Sequence, residues 1–198
     1  MTTMVPTRDE ALALVHEYTE SPGLRRHMLA VEASMRAYAR KYGEDGERWG
    51  IAGLLHDFDY ERWPNNDHAA DSEHPSTGVA ILRDMGVDED ILETILAHAD
   101  YTGVEAVSLM SKTLRAVDEL TGFITACALV RPTRLAGMKT RSVRKKMKDK
   151  AFAAAVSRDE MMENCAELGE EMGDHIAFVI GAMQLAADDL GLNGPPPG

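Results

Sequence analysis

Apolar residues recur along most of this chain at the three- and four-residue spacing of amphipathic helices. No segment shows the alternation of apolar and polar residues, rich in β-branched side chains, that is typical of a strand. After Ser21-Pro22, one helical face carries Leu24, Met28, Val31, Met35 and Tyr38. The pattern predicts an all-α fold.

Short start and stop signals divide this pattern into helices. Thr7 and Glu10 form a T-x-x-E start signal for a short first helix, and Ser21-Pro22 opens a second helix that ends at Gly43. A third helix ends at His56-Asp57, and the polar segment after it is a loop that forms a rim or lid. Further helices are predicted over 75–85, 89–99 and 109–130, and two or three more within 140–190.

Length and composition indicate one soluble domain. With 198 residues the chain can bury a substantial core, and we predict a single domain over 1–192 and a disordered tail at 193–198. The N-terminus has no basic start followed by an apolar run, and the longest apolar stretch, 123–130, is too short to span a bilayer. We expect a cytoplasmic protein without membrane contact, with Cys127 and Cys165 as reduced core thiols.

Charge is distributed unevenly along the chain. The formal net charge of -12 argues against nonspecific binding to nucleic acids or anionic membranes. Residues 131–150 nevertheless carry nine Lys or Arg against one Asp, a local +8, so the rest of the chain sums to -20. This basic stretch is either a solvated or paired helical face or a site that attracts an anion.

Histidine and aspartate side chains supply the candidate chemistry. The pair His56-Asp57 belongs to an ordered series of metal-binding residue types, namely His27, His56, Asp57, His74, His98 and Asp118. Imidazole nitrogens and carboxylate oxygens from separate helices can converge on divalent ions, so we predict a metal site between helices. His16 and His175 have no motif around them and are expected at helix surfaces or caps.

The order of these residues resembles the HD superfamily of metal-dependent phosphohydrolases. A helical His27, the pair His56-Asp57 within GLLHDFD, and the distant Asp118 within AVDEL are similar to its minimal pattern. The resemblance covers residues 24–122 and implies a helical bundle with the metal site between helices. Glu119 is the alternative to Asp118, because a helix rotation of one residue would exchange them.

Two further stretches resemble members of this superfamily that hold two metal ions. One is HPSTGVAIL, which begins at His74, and the other is ILAH, which ends at His98. By this resemblance one ion is held by His27, His56, Asp57 and Asp118. The other is held by His74 and His98, with Asp57 bridging, and His68 is an alternative to His74. A histidine-rich pair of sites favours Fe or Mn, with Mg, Ni, Co and Zn as other candidates.

The resemblance implies hydrolysis of a phosphomonoester or phosphodiester in a small phosphorylated metabolite or nucleotide, with metal-bound hydroxide as the nucleophile. Asp57, as the bridging ligand, and Asp59 would be the catalytic residues. Asp59 would orient a metal-bound water or a ligand histidine, or would cap a helix end. Candidate cations for the phosphate are Arg62, Arg131, Lys139, Lys145 and Lys146.

Two other functions are compatible with the same residues. A di-iron oxygenase can use the same six ligands, and a catalytically inactive regulatory module can keep the metal site. The residues after His98 read ADYTG rather than GYP, which disfavours cyclic dinucleotide hydrolysis. The sequence carries no signal for the oligomeric state.

Overall fold

The computed structural model describes residues 4–195, and these residues form nine α-helices and one short 3-10 helix. The α-helices are α1 Arg8–Tyr18, α2 Pro22–Tyr42, α3 Gly46–Leu55, α4 Ser76–Asp84, α5 Glu89–Ala97, α6 Leu109–Leu129, α7 Thr140–Met147, α8 Arg158–Glu167 and α9 Met172–Leu185. Within the described range, extended residues pair only in an isolated bridge between Met4 and Val87. The predicted all-α fold is confirmed.

The first helices begin and end at the capping signals found in the sequence. Thr7 forms a full capping box with Glu10, and the Ser21 hydroxyl accepts a hydrogen bond from the backbone N–H of Leu24. Gly43 ends α2 in the left-handed conformation, with a φ of 76°. These local signals fix the ends of α1 and α2 because they satisfy backbone groups that a helix terminus leaves unpaired.

The chain divides into two compact units, one up to Arg115 and one from Ala116. The single-domain prediction therefore stays a prediction. Residues 196–198 of the predicted tail lie outside the described range, and Asn193 donates a hydrogen bond to Asp188. No helix within residues 4–195 has the length and apolar character needed to cross a bilayer.

The first unit depends on a close approach between α2 and α3. A Cβ atom on Gly53 would lie 2.9 Å from Met35 Cγ and 3.2 Å from the backbone nitrogen of Glu32. Gly50 lies one turn earlier on α3 and is in similar contact with the Arg36 side chain. The two glycines allow α3 to lie against the backbone of α2, which brings the end of α3 towards His27.

A buried carboxylate links α1 to α2 in the same unit. Glu32 is 3% exposed and accepts hydrogen bonds from Arg8 Nε at 2.7 Å and Arg36 Nε at 2.8 Å. Arg36 also binds Glu47 at the start of α3. The charge of Glu32 is therefore paired twice, as a buried carboxylate requires.

The second unit has its own buried residues. His175 is fully buried and donates from Nε2 to the backbone oxygen of Ala116 at 2.9 Å, so the predicted surface or cap position for this histidine is wrong. Cys127 and Cys165 are free and buried, and burial raises the pKa of each thiol to about 11. The predicted core thiols are confirmed.

We expect Gly53→Ala to lower the free energy of unfolding by about 1–3 kcal/mol, because the added methyl group overpacks the contact between α2 and α3. Gly46→Ala is the matched control on the same helix, since a Cβ there meets nothing within 4 Å. We expect that control to be neutral or slightly stabilising. Urea unfolding followed by helical circular dichroism measures both variants, and equal stability of the two would contradict the close-approach argument.

Candidate metal centre

The carboxylate of Asp57 lies between two pairs of imidazoles. Its Oδ2 atom is 3.6 Å from His27 Nε2 and 3.4 Å from His56 Nε2. Its Oδ1 atom is 3.4 Å from His74 Nε2 and 3.6 Å from His98 Nε2. Each oxygen therefore faces a different pair, and Asp57 is common to two groups of three potential metal donors.

Four elements bring these side chains together. His27 lies on α2, and His56 is the C-cap residue of α3, with Asp57 following it. His74 lies two residues before the start of α4, and His98 is the C-cap residue of α5. The site thus collects donors from four consecutive helices of the first unit.

Backbone acceptors orient two of the imidazoles. The Nδ1 atom of His56 lies 2.8 Å from the carbonyl oxygen of Gly53, and that of His98 lies 2.5 Å from the carbonyl oxygen of Ile95. A carbonyl oxygen only accepts hydrogen bonds, so Nδ1 carries the proton in both rings. In the neutral rings the acceptor lone pair then lies on Nε2, the atom that faces Asp57.

His74 is oriented by a carboxylate instead. Its Nδ1 atom lies 2.8 Å from Oδ1 of Asp59, which is 1% exposed. The Oδ2 atom of Asp59 accepts the backbone N–H of Gly78 in the first turn of α4 at 2.7 Å. Asp59 therefore bonds His74 and the first turn of α4, and its predicted role at the site stays a prediction.

Position 78 leaves no room for a Cβ atom beside this carboxylate, so glycine fits there. A Cβ atom at Gly78 would lie 2.6 Å from Cγ of Asp59 and 2.9 Å from Cε1 of Phe58. The close approach of α4 to the Asp59 carboxylate thus explains why a glycine ends the HPSTG stretch.

The donor geometry fits bound cations. The Nε2 atoms are 3.3 Å apart both between His27 and His56 and between His74 and His98. Two donors that each lie about 2.1 Å from one ion are about 3.0 to 3.4 Å apart in octahedral or tetrahedral coordination. For His74 and His98 both nitrogens carry lone pairs, so a cation between them would remove an unfavourable contact.

The comparison with known families agrees with this geometry. The family model of the HD domain matches residues 24–122, half of the 198 residues. The chain belongs to the HD domain family. HD domains are commonly metal-dependent hydrolases, and the two His/Asp groups of this HD domain could hold divalent metal. No curated protein and no solved structure matches the chain.

Asp118, the sixth predicted ligand, lies on α6 and in the second unit. It is half-buried, as is its neighbour Glu119. Its assignment as a ligand therefore stays a prediction. One of the two donor groups in the described residues contains His74, and neither contains His68, whose ring stacks on Tyr101 with centroids 4.8 Å apart and planes 12° apart.

The loop at 58–73 is tied to the rest of the first unit. Asn65 is 6% exposed, and its side-chain amide donates to the carbonyl oxygens of Ala69, Ser72 and His74. The carboxylate of Glu61 accepts backbone N–H groups at the start of α2. These bonds favour the predicted rim over a free lid.

Tyrosines next to His74 did not stand out in the sequence. Tyr60 is 45% exposed, and its ring meets His74 edge to face at a centroid distance of 5.1 Å. The hydroxyl of Tyr101 donates to the carbonyl oxygen of His74 at 3.2 Å. Burial, with the negative charges of Asp57 and Asp59, raises the pKa of Tyr101 to about 12, so this phenol stays protonated.

Three of the five predicted phosphate-binding cations have structural contacts. Arg62 donates to the backbone of α1 and lies over the Tyr18 ring at 4.3 Å. Arg131 donates to Thr133 and to carbonyl oxygens of the turn after α6. Lys146 lies over the Phe152 ring at 4.4 Å, whereas Lys139 and Lys145 are exposed. Binding of phosphate by all five stays a prediction.

We expect protein loaded with Mn²⁺ and freed of excess metal to hold close to two ions per chain, one for each donor group. His74→Ala should retain one ion, because only one group contains His74. Asp57→Ala should lose both ions, since the two groups share Asp57. Elemental analysis after gel filtration measures the content, and His16→Ala, on the exposed surface of α1, is the matched control. One ion in the wild type that persists in His74→Ala would contradict the second group.

Proposed function

We propose that the chain is a metal-dependent phosphohydrolase that binds two divalent transition-metal ions and hydrolyses a small phosphorylated metabolite or nucleotide. The observation that supports this proposal best is the position of Asp57, with one oxygen towards His27 and His56 and the other towards His74 and His98. A shared carboxylate is the expected centre of a two-metal site.

The proposed ligands divide into two half-sites. The first half-site contains His27, His56 and Asp57, and the motif order adds Asp118 as a further proposed ligand. The second half-site contains Asp57, His74 and His98. Four imidazoles favour Fe or Mn over Mg. Two bound ions would lower the pKa of a coordinated water and would stabilise negative charge on a phosphoryl oxygen.

The protein's own side chains position the half-sites and the substrate and offer a proton donor. Asp57 fixes the separation of the half-sites because both of them use its single carboxylate. Tyr101 remains an O–H donor at every physiological pH, and the exposed ring of Tyr60 offers a surface for the substrate beside His74. Lys139 and Lys145 are the proposed phosphate-binding residues that carry exposed ammonium groups.

A di-iron oxygenase is the second candidate function. The observation that favours it is the same histidine-rich donor set, which suits iron as well as manganese. The two candidates differ in their reactants and products. An oxygenase consumes dioxygen, whereas a phosphohydrolase consumes water and releases an alcohol together with inorganic phosphate or a phosphomonoester.

We expect the Mn²⁺- or Fe²⁺-loaded protein to hydrolyse p-nitrophenyl phosphate or bis(p-nitrophenyl) phosphate. Treatment with a chelator should abolish hydrolysis, and the metal should restore it. His56→Ala and Asp57→Ala should lower the rate by about 100-fold or more, because each removes a proposed metal ligand. His16→Ala is the control expected to keep the wild-type rate. Retention of helical circular dichroism separates loss of the site from loss of the fold.

Two outcomes contradict this proposal in different ways. If hydrolysis survives in both His56→Ala and Asp57→Ala, the proposed site does not catalyse it. If the iron-loaded protein consumes dioxygen in the presence of small phosphorylated compounds and hydrolyses neither p-nitrophenyl ester, the oxygenase is the correct function.

A further inference from the structure

The oriented histidines of the two half-sites have different Nδ1 partners. His56 and His98 bond backbone carbonyl oxygens, which are neutral. His74 bonds the carboxylate of Asp59 at 2.8 Å. A negatively charged acceptor makes the imidazole a stronger electron donor and holds its proton on Nδ1 more firmly than a carbonyl oxygen does.

The surroundings of Asp59 make this contact strong. The residue is 1% exposed, so water screens its charge little. Its second oxygen accepts the N–H of Gly78 at the start of α4, where Pro75 provides no side-chain cap. The Gly78 N–H is one of the backbone donors that a helix N-terminus leaves unpaired, so this bond fixes the position of the Asp59 carboxylate.

We propose that Asp59 is a positioning residue that determines whether the second half-site, formed by Asp57, His74 and His98, holds its ion. This inference rests on the two-metal site of the proposed function. Asp59 acts through His74, because its two oxygens bond His74 and Gly78 and leave it no exposed surface for a substrate.

The substitution Asp59→Asn tests this role because it changes the hydrogen-bond pattern without changing the size of the side chain. An amide offers one acceptor oxygen and one NH₂ group. The oxygen would accept the Gly78 N–H, and the NH₂ group would then face Nδ1 of His74 and donate to it. His74 would carry its proton on Nε2, which lies 3.4 Å from Asp57 Oδ1, and that proton would block the metal-binding lone pair.

The experiment titrates metal-free protein with Mn²⁺ by calorimetry, with elemental analysis of the loaded protein. We expect the wild type to bind two ions and Asp59→Asn to lose affinity in one step only, by about 10- to 100-fold. The step assigned to the first half-site should remain unchanged. High Mn²⁺ concentrations should restore hydrolysis of the phosphoester substrates, which a damaged fold would not allow.

Histidine tautomers provide a second readout that needs neither metal nor activity. In metal-free protein labelled with ¹⁵N, we expect His74 to be protonated on Nδ1 in the wild type and on Nε2 in Asp59→Asn. Asp45→Asn is the matched control, because the Asp45 carboxylate accepts the backbone N–H groups of Glu47 and Arg48 at the start of α3 and not a histidine. Both metal-binding steps should persist in that control.

The outcomes separate the failure of this inference from failure of the proposed function. A wild type that binds fewer than two ions overturns the two-metal site itself. If the wild type binds two ions, two results for Asp59→Asn overturn only the role of Asp59. One is wild-type affinity for both ions, and the other is an equal loss of affinity for both. If Asp59→Asn does not fold, the wild-type tautomer decides, because protonation of His74 on Nε2 in the metal-free protein contradicts the inference.

Discussion

The candidate site of the first unit is centred on the contacts of the Asp57 carboxylate. Four imidazole nitrogens lie within 3.6 Å of its two oxygens, and they come from α2, α3, the start of α4 and the end of α5. Such convergence needs rigid supports, since an error of one ångström would separate the donors. The glycine contacts of α3 with α2 and of α4 with Asp59 supply those supports by letting helices approach more closely than larger residues allow.

Much of the fold and of the site could be predicted from the sequence because the signals are local. Capping residues such as Thr7 and Ser21 satisfy backbone groups within one turn, so their pattern determines where α1 and α2 begin. The candidate ligand histidines were recognisable because their order along the chain resembles the pattern of the HD superfamily. Five of the six predicted ligands consequently lie in the two donor groups found among residues 4–195.

Contacts between distant segments could not be predicted in this way. Asn65 belongs to no periodic pattern and to no motif. It nevertheless organises its loop, because its side-chain amide donates to three carbonyl oxygens. His175 also lacks a motif, and its Nε2 atom bonds a backbone oxygen 59 positions away in the sequence. Arg62 was predicted as a candidate cation for the phosphate. Its side chain contacts the backbone and the Tyr18 ring of α1. Chemical type alone does not reveal such partners.

The electrostatics of the site favour the binding of cations by this donor set. His56 and His98 are the C-cap residues of α3 and α5, so two helix ends with partial negative charge contribute to the same site. The Asp57 carboxylate and the lone pairs of the oriented imidazoles add further negative potential there. In the metal-free protein these negative charges repel one another, and the packing of the helices must offset that repulsion. Bound cations would reverse that balance, so metal binding and the stability of the first unit are thermodynamically coupled. The same negative potential would repel a phosphate, which is why the proposed hydrolysis depends on the ions for binding its substrate as well as for its chemistry.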